Sequence, residues 1–234
     1  MTEDPLGAVT RKQLNFFWIA DCSGSMQDEK IEQLNRAVRE SLPAARDANK
    51  KNPFAEVLVR VIRFSSGAQW HQATPTLIDD FEWNDLDAEG VTDLGAAIKL
   101  ISEALDPNKL GKRALPPVLV LLSDGMPTDD WESALSKFNS TPWGKQGRTV
   151  RVAIAIGGDA NRDALAKFTG NMETVLTANN PQQLATFIRW CSVALSSYVS
   201  SGKSTPKQGD AGVVDIVQKE KVVVAETVDD EEVW

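Results

Sequence analysis

Histidine and cysteine are scarce in this 234-residue chain, which has one histidine, His71, and two cysteines, Cys22 and Cys191. Two cysteines imply no disulfide framework. With a single histidine, a Ser-His-Asp or Cys-His arrangement depends on His71 meeting a loop far away in sequence. No apolar stretch approaches the roughly 20 residues of a membrane span, and the start, Met1-Thr2-Glu3-Asp4-Pro5, lacks the apolar core of a signal peptide. A cytoplasmic protein with no membrane partner is the expectation. Basic clusters are missing as well: the formal net charge is -8, which argues against nucleic acid as a main partner, because phosphate binding needs a concentrated basic surface. Neither G-x-G-x-x-G nor G-x-x-x-x-G-K-[ST] occurs, so Gly157-Gly158 reads as a tight turn and not a nucleotide loop.

Apolar strands that end in oxygen ligands are present. Leu14 to Ala20 is a continuous apolar run apart from Asn15, and it stops abruptly in Asp21-Cys22-Ser23-Gly24-Ser25-Met26. A run without alternation predicts a strand covered on both faces, as in a parallel sheet, and ligands of such sheets bind at the carboxyl ends of strands. One carboxylate and two hydroxyls suit a hard cation such as Mg2+. The same residues would equally make a turn in which Asp21 or Ser23 caps the next helix. Pro116 to Leu122 is a second continuous run, ending in Ser123-Asp124-Gly125. If these strands are neighbours, Asp21 and Asp124 lie within reach of one cation.

Between and beyond these strands the pattern alternates. Ile31, Leu34, Val38 and Leu42 mark an amphipathic helix with Glu29, Lys30, Glu32, Arg36 and Arg39 on its polar side, and Pro43 is expected to kink or end it. Ala55 to Phe64 reads as a strand, with Gln69 to Leu77 returning beside it as an antiparallel edge. The acidic segment Asp79 to Asp93 reads as an exposed loop, and Thr92, at the start of the helix through Leu94, Ile98, Ile101 and Leu105, has the position of an N-cap. Thr128 is expected to cap a helix with Asp129 and Asp130 in its first turn. A strand from Thr149 to Ile156, a helix from about Asn161 to Phe168, a short strand near Thr174 to Leu176 and a helix from Pro181 to about Tyr198 complete the alternation. It predicts an α/β fold with a doubly wound, mostly parallel sheet, helices on both faces and one antiparallel edge strand.

Asp21, Ser23 and Ser25, then Gly90-Val91-Thr92-Asp93, then Leu121-Leu122-Ser123-Asp124-Gly125 resemble, in order, the three motifs of the von Willebrand factor A domain. The resemblance spans residues 14–199, leaving 1–13 as an N-terminal extension and 200–234 as a tail. It implies a metal-ion-dependent adhesion site in which Ser23 and Ser25 ligate Mg2+, or alternatively Mn2+ or Ca2+, directly. Thr92, Asp21 and Asp124 would ligate directly or through water, and a partner protein's Asp or Glu would fill an open position. Cys22 stands where many family members carry other small residues. The short form, with Trp70-His71 and Pro142-Trp143-Gly144-Lys145, is similar to bacterial TerY-type proteins of tellurite-resistance and stress operons, which implies a Ser/Thr kinase and a PP2C-type phosphatase as partners.

A binding module of this kind is the favoured function, against a scaffold that uses its tail or a metal-dependent hydrolase. A hydrolase would need a general acid and a phosphate-binding cation, and neither is evident near the motifs. Cys22 reads as a small residue packed behind the turn. In the tail, Val213 to Val217 and Lys221 to Val224 read as strand-forming segments of a flexible, acidic-ended linker. Thr227, before Asp229 to Glu232, is a phosphorylation candidate, and Asp215 or Glu226 is a candidate self-ligand for the metal.

Overall fold

The structure, a computed structural model, describes residues 11–110, 114–200 and 209–227. The elements follow the chain as β1 (Lys12–Asp21), α1 (Glu29–Lys51), β2 (Ala55–Ser65), β3 (Gly67–Leu77), α2 (Leu94–Ala104), α3 (Pro107–Leu110), β4 (Val118–Ser123), α4 (Trp131–Asn139), β5 (Val150–Ile156), α5 (Arg162–Thr169), β6 (Val175–Ala178), α6 (Pro181–Trp190), α7 (Ser196–Ser200) and α8 (Gly209–Thr227), with a π-helical turn at Cys191–Leu195 joining α6 to α7. Six strands form one sheet in the order β3-β2-β1-β4-β5-β6. All neighbours are parallel except β3, which returns antiparallel on β2 as the edge.

Alternate side chains of the central strands enter two cores. Phe16, Trp18 and Ala20 of β1 pack with Leu34 and Val38 of α1, Leu184 and Phe187 of α6, and Val213 and Val217 of α8. Phe17 and Ile19 pack on the other face with Ile98 of α2, Leu135 of α4 and Phe168 of α5. Every residue of β4 is buried, which is why that strand reads as an unbroken apolar run. β1 begins at Lys12, two residues before the apolar run, because its first two residues are exposed.

Four local expectations are corrected. Pro43 neither ends nor breaks α1, which continues to Lys51. The backbone bond that Pro43 cannot donate would have gone to Arg39, and both residues are exposed, so the freed carbonyl faces solvent while Ala45 and Asn49 carry the buried stripe onward. Residues 79–93 form a loop, but one exposed only in part: Phe81, Trp83 and Leu86 are buried. Their anchor is Asn35, in the buried stripe of α1, whose Oδ1 accepts from Trp83 Nε1 at 3.0 Å and Leu86 N at 2.9 Å while its Nδ2 donates to Leu86 O at 2.9 Å. Arg46 adds a bond to Phe81 O at 2.6 Å, and Asn49 one to Asp79 at 2.9 Å.

Thr128 does not cap α4; its hydroxyl accepts from Thr92 N at 3.1 Å and donates to Asp93 at 3.0 Å. Asp129 caps α2 instead of its own helix, accepting from Gly95 N at 2.9 Å and Ala96 N at 3.0 Å. The tail's valines, finally, are helical rather than strand-forming. Val213 and Val217 are one helical turn apart on α8, 3% and 0% exposed, with Ile216 packed beside them, and Lys221 Nζ donates to Glu173 O at 2.9 Å. Strand propensity reflects fit to a half-buried surface, and here burial on a helix-lined core decides. Asp215 is held by Lys219 at 2.8 Å. The side chains of Glu226 and Thr227, and residues 1–10 and 228–234, lie outside the described residues.

Because Val217 is fully buried, Val217→Ala is expected to lower the stability of the whole domain by about 2 kcal/mol, the loss of two buried methylene equivalents plus a small cavity. Urea unfolding followed by tryptophan fluorescence measures it. An unchanged midpoint would detach α8 from the cooperative unit.

Candidate metal centre

The sheet order reverses direction between β1 and β4, the strands that run side by side with Ala20 opposite Leu122. Their carboxyl ends therefore open on the crevice where doubly wound sheets take ligands, and Asp21 and Ser123-Asp124 both stand there. Asp21 is 0% exposed and Asp124 5%. Burying two carboxylates side by side is unfavourable without compensating charge or hydrogen bonds.

The bonds that each receives define the cluster. Asp21 Oδ1 accepts from Ser23 N at 2.8 Å and Oδ2 from Ser123 Oγ at 2.5 Å. Ser23 Oγ lies 3.1 Å from Ser25 Oγ, and Ser25 Oγ donates to Asp124 Oδ1 at 2.7 Å. Asp124 Oδ2 takes the ammonium of Lys30 at 2.7 Å. Thr92 arrives on the third loop: a Cβ placed on Gly125 would lie 3.4 Å from Thr92 Oγ1 and 3.6 Å from Ser25 Oγ, so the three loops meet over Gly125. The structure thus brings Asp21, Ser23, Ser25, Thr92 and Asp124 to one place. Thr92 does not occupy the N-cap position of α2, which falls to Asp93.

Backbone bonds lock the loops in that arrangement. Glu89 N donates to Cys22 O at 2.7 Å and Gly24 N to Gly90 O at 3.0 Å, while Thr128 N donates to Thr92 O at 2.8 Å. Asp93 ties in the β2–β3 turn by accepting from Gly67 N at 2.8 Å. Gly90 has φ +81°, and a Cβ there would lie 2.4 Å from Ser66 Oγ, so both its conformation and the close approach of the two turns require glycine.

Burial pushes the Asp21 carboxyl up to about 6, against the lowering effect of its bonds from Ser123 and Ser23, and the neighbouring Asp124 pushes it in the same direction as burial. Two buried acids with three hydroxyls form an all-oxygen donor set, the chemistry of a hard divalent cation. Among the described residues no group of three or more His, Cys, Asp or Glu side chains is placed to hold a metal. The Cys22 thiol, wholly buried and 3.7 Å from Ala20 O, is pushed up to about 12 by burial. His71 sits on β3, its Nε2 2.8 Å from Asn84 O and its ring against Trp83.

Two contributors were not singled out from the sequence. Ser123 was legible only as part of the third motif, and its role as the donor to Asp21 depends on the β1–β4 register. Periodicity puts Lys30 on the polar side of α1, yet its side chain is only 18% exposed.

A cation that needs the Asp21 carboxylate displaces its proton wherever the metal-free pKa lies above the solution pH. The apparent affinity of such a cation is therefore expected to fall about tenfold per pH unit below about 6 and to level off above it. The raised pKa also means that metal-free stability declines as pH rises from about 4 through about 6, so the increase in melting temperature on adding Mg2+ should be larger at pH 8 than at pH 5. Calorimetry and thermal scans across pH 5 to 8 check both; a pH-independent affinity would remove Asp21 from the ligand set.

No family model matches this chain, and no curated protein matches it. Solved structures do. A von Willebrand factor type A structure from Catenulispora acidiphila aligns over 78% of this chain and 42% of its own with TM-score 0.55 and 18% identity. VWA2, an ArnB paralog from Sulfolobus acidocaldarius, aligns over 76% and 44% at 0.55 and 19%. Proximal thread matrix protein 1 from the mussel byssus, with a zinc-occupied MIDAS motif, aligns over 80% and 48% at 0.57 and 17%. This chain spans less than half the length of each of these structures. At these identities the likeness is one of fold: six strands, one antiparallel edge and helices on both faces make this a von Willebrand factor A fold.

Proposed function

We propose that this domain is a metal-dependent protein-interaction module in which Asp21, Ser23, Ser25, Thr92 and Asp124 hold one divalent cation, Mg2+ in the cell, and a carboxylate from a partner protein completes its coordination. The observation that carries the reading is the convergence of two buried carboxylates and three hydroxyls at the switch point of the sheet. The zinc-occupied MIDAS of the mussel protein supports a metal at this position of the fold. The cation would supply positive charge and an exchangeable coordination position.

This chain's residues do the rest. Ser123 and the Ser23 amide orient the Asp21 carboxylate, and Ser25 orients that of Asp124. The loops are pinned at Cys22, Gly24 and Thr92, so the site is built before the partner arrives and binding has little backbone to order. The rim adds apolar surface: Val91, next to Thr92, is 47% exposed, and Met126, next to Gly125, 61%. Such a rim fits an acidic residue flanked by apolar side chains, the combination of a charged anchor and desolvating neighbours that concentrates binding energy.

The module reads as non-enzymatic, because His71 is engaged on β3 and the Cys22 thiol stays protonated. The setting we propose is a bacterial cytoplasmic stress or signalling system with a Ser/Thr kinase and a PP2C-type phosphatase, a reading supported by the resemblance of Trp70-His71 and Pro142-Trp143-Gly144-Lys145 to TerY-type proteins. Among the described residues no helix is long and apolar enough to cross a membrane.

The test is a pull-down from lysate of the source organism with Mg2+ or EDTA, read by mass spectrometry. Partners are expected only with Mg2+, and Asp21→Ala should lose them while keeping the fold, since the sheet is built from apolar runs elsewhere. The double variant Val91→Ser, Met126→Ser should weaken the captured partner roughly tenfold without changing Mg2+ affinity, because only buried apolar area is lost. A partner retained in EDTA, or retained by Asp21→Ala, would contradict the metal-dependent reading.

A further inference from the structure

Lys30 is the one cation bonded to the acidic cluster among the described residues. It projects from the first turn of α1 and donates to Asp124 Oδ2 at 2.7 Å, with side-chain exposures of 18% for Lys30 and 1% for Asp124. The other oxygen of Asp124 already receives the Ser25 hydroxyl, so each oxygen of this carboxylate has a partner without any metal. A second carboxylate waits on the far side of the ammonium. Asp159, in the turn after β5, has Oδ1 3.9 Å from Lys30 Nζ and a side chain that is 85% exposed. The turn leaves space for the lysine because Gly157 has no side chain: with φ +88°, a Cβ there would lie 2.9 Å from Asp159 Oδ1 and 3.4 Å from Lys30 Nζ.

We infer that Lys30 is a built-in counter-ion of the centre, which stands in for part of the metal's charge when the site is empty and sets the affinity for the metal when it fills. The inference rests on the metal-centre reading above and goes beyond it by assigning a role to a residue outside the ligand set. A lone ammonium beside Asp124 offsets the repulsion between two buried carboxylates. A divalent ion on the same carboxylate is repelled by that ammonium across a partly desolvated gap, where charges a few ångströms apart interact strongly and salt screens them little. Asp159 supplies the outlet: as the cation enters, Lys30 shifts its weight from the inner carboxylate to the outer one. With a divalent ion bound, Asp21 and Asp124 balance its charge and Asp159 balances Lys30.

The experiment is Mg2+ titration of the full chain by calorimetry, with metal-free and metal-loaded melting temperatures, for wild type, Lys30→Gln, Lys30→Arg, Asp159→Asn and the Lys30→Gln, Asp159→Asn pair. Lys30→Gln is expected to bind Mg2+ about tenfold or more tightly, to melt lower than wild type without metal, and to lose that deficit when loaded. Lys30→Arg, which keeps the charge, should bind near the wild-type affinity. Asp159→Asn should weaken Mg2+ binding several-fold in the wild type but have little effect in the Lys30→Gln background, because its influence passes through the lysine. Equal or weaker Mg2+ binding by Lys30→Gln overturns the inference. Should that variant not fold without metal, an Asp159→Asn affinity equal to wild type overturns it. Absence of Mg2+ binding in every protein is a different result, which removes the metal centre itself.

Discussion

Parallel pairing of β1 with β4 is the constraint on which the site depends. Both strands are buried on both faces, so neither can slide by one residue without turning a core side chain to the opposite layer, and the register that sets Ala20 against Leu122 is therefore held by packing on two sides. That register delivers Asp21 beside Ser123 and Asp124 as a by-product of core packing. The acids are then isolated from water at the point where the strand order reverses, and the chain must supply hydroxyls, amides and a lysine to keep them there. Removing any one compensating group leaves a buried carboxylate underserved, a larger penalty than the loss of an ordinary surface contact.

The third loop obeys a different logic. Thr92 follows fourteen residues, 78–91, that contain no helix or strand, a length at which a connection seldom keeps one conformation without tertiary anchors. Here the anchors run the length of α1: Asn49 and Arg46 take the start of the loop, Asn35 its middle, and Gln27 and the Cys22–Gly24 backbone its end. A single buried asparagine that satisfies three polar groups turns Trp83 and Leu86 inward and determines where the chain must emerge to place Thr92. The helix that packs against the sheet thus also fixes the ligand loop, and stability and site geometry are coupled through α1.

Much of this was legible in the sequence, for physical reasons that can be separated. β1 and β4 stood out because burial on both faces leaves an unbroken apolar signature, and Asp21 and Asp124 because each ends such a run abruptly. Asn35 was not legible, since one polar residue inside an apolar stripe looks the same whether it faces solvent or receives three bonds from a loop 50 residues away. Lys30 was hidden by the same limitation: a helical wheel separates apolar from polar positions but cannot say what the polar side meets. Asp129 illustrates a third kind of blindness, because local capping rules assigned it to its own helix and the close approach of α2 and α4 gave it to another. In the tail, valine content pointed to strands while the four-residue spacing of Val213 and Val217 carried the helix.

The last of these errors has a mechanical meaning. α8 packs Val213 and Val217 into the layer that contains Trp18 and Ala20 of β1, the residues leading directly to Asp21. α1, which carries Lys30 and Asn35, lines that same layer, and it also meets the π-helical turn through the contact of Ser41 with Ser192. The centre and the C-terminal helix thus share one close-packed core, in which small displacements are transmitted and not absorbed. The two layers differ in where the chain supplies them: the α2, α4 and α5 face is completed by elements between β3 and β6, while the α1, α6 and α8 face includes the last described helix. α1, which carries Lys30 in its first turn, packs along α6, and α6 in turn meets α8.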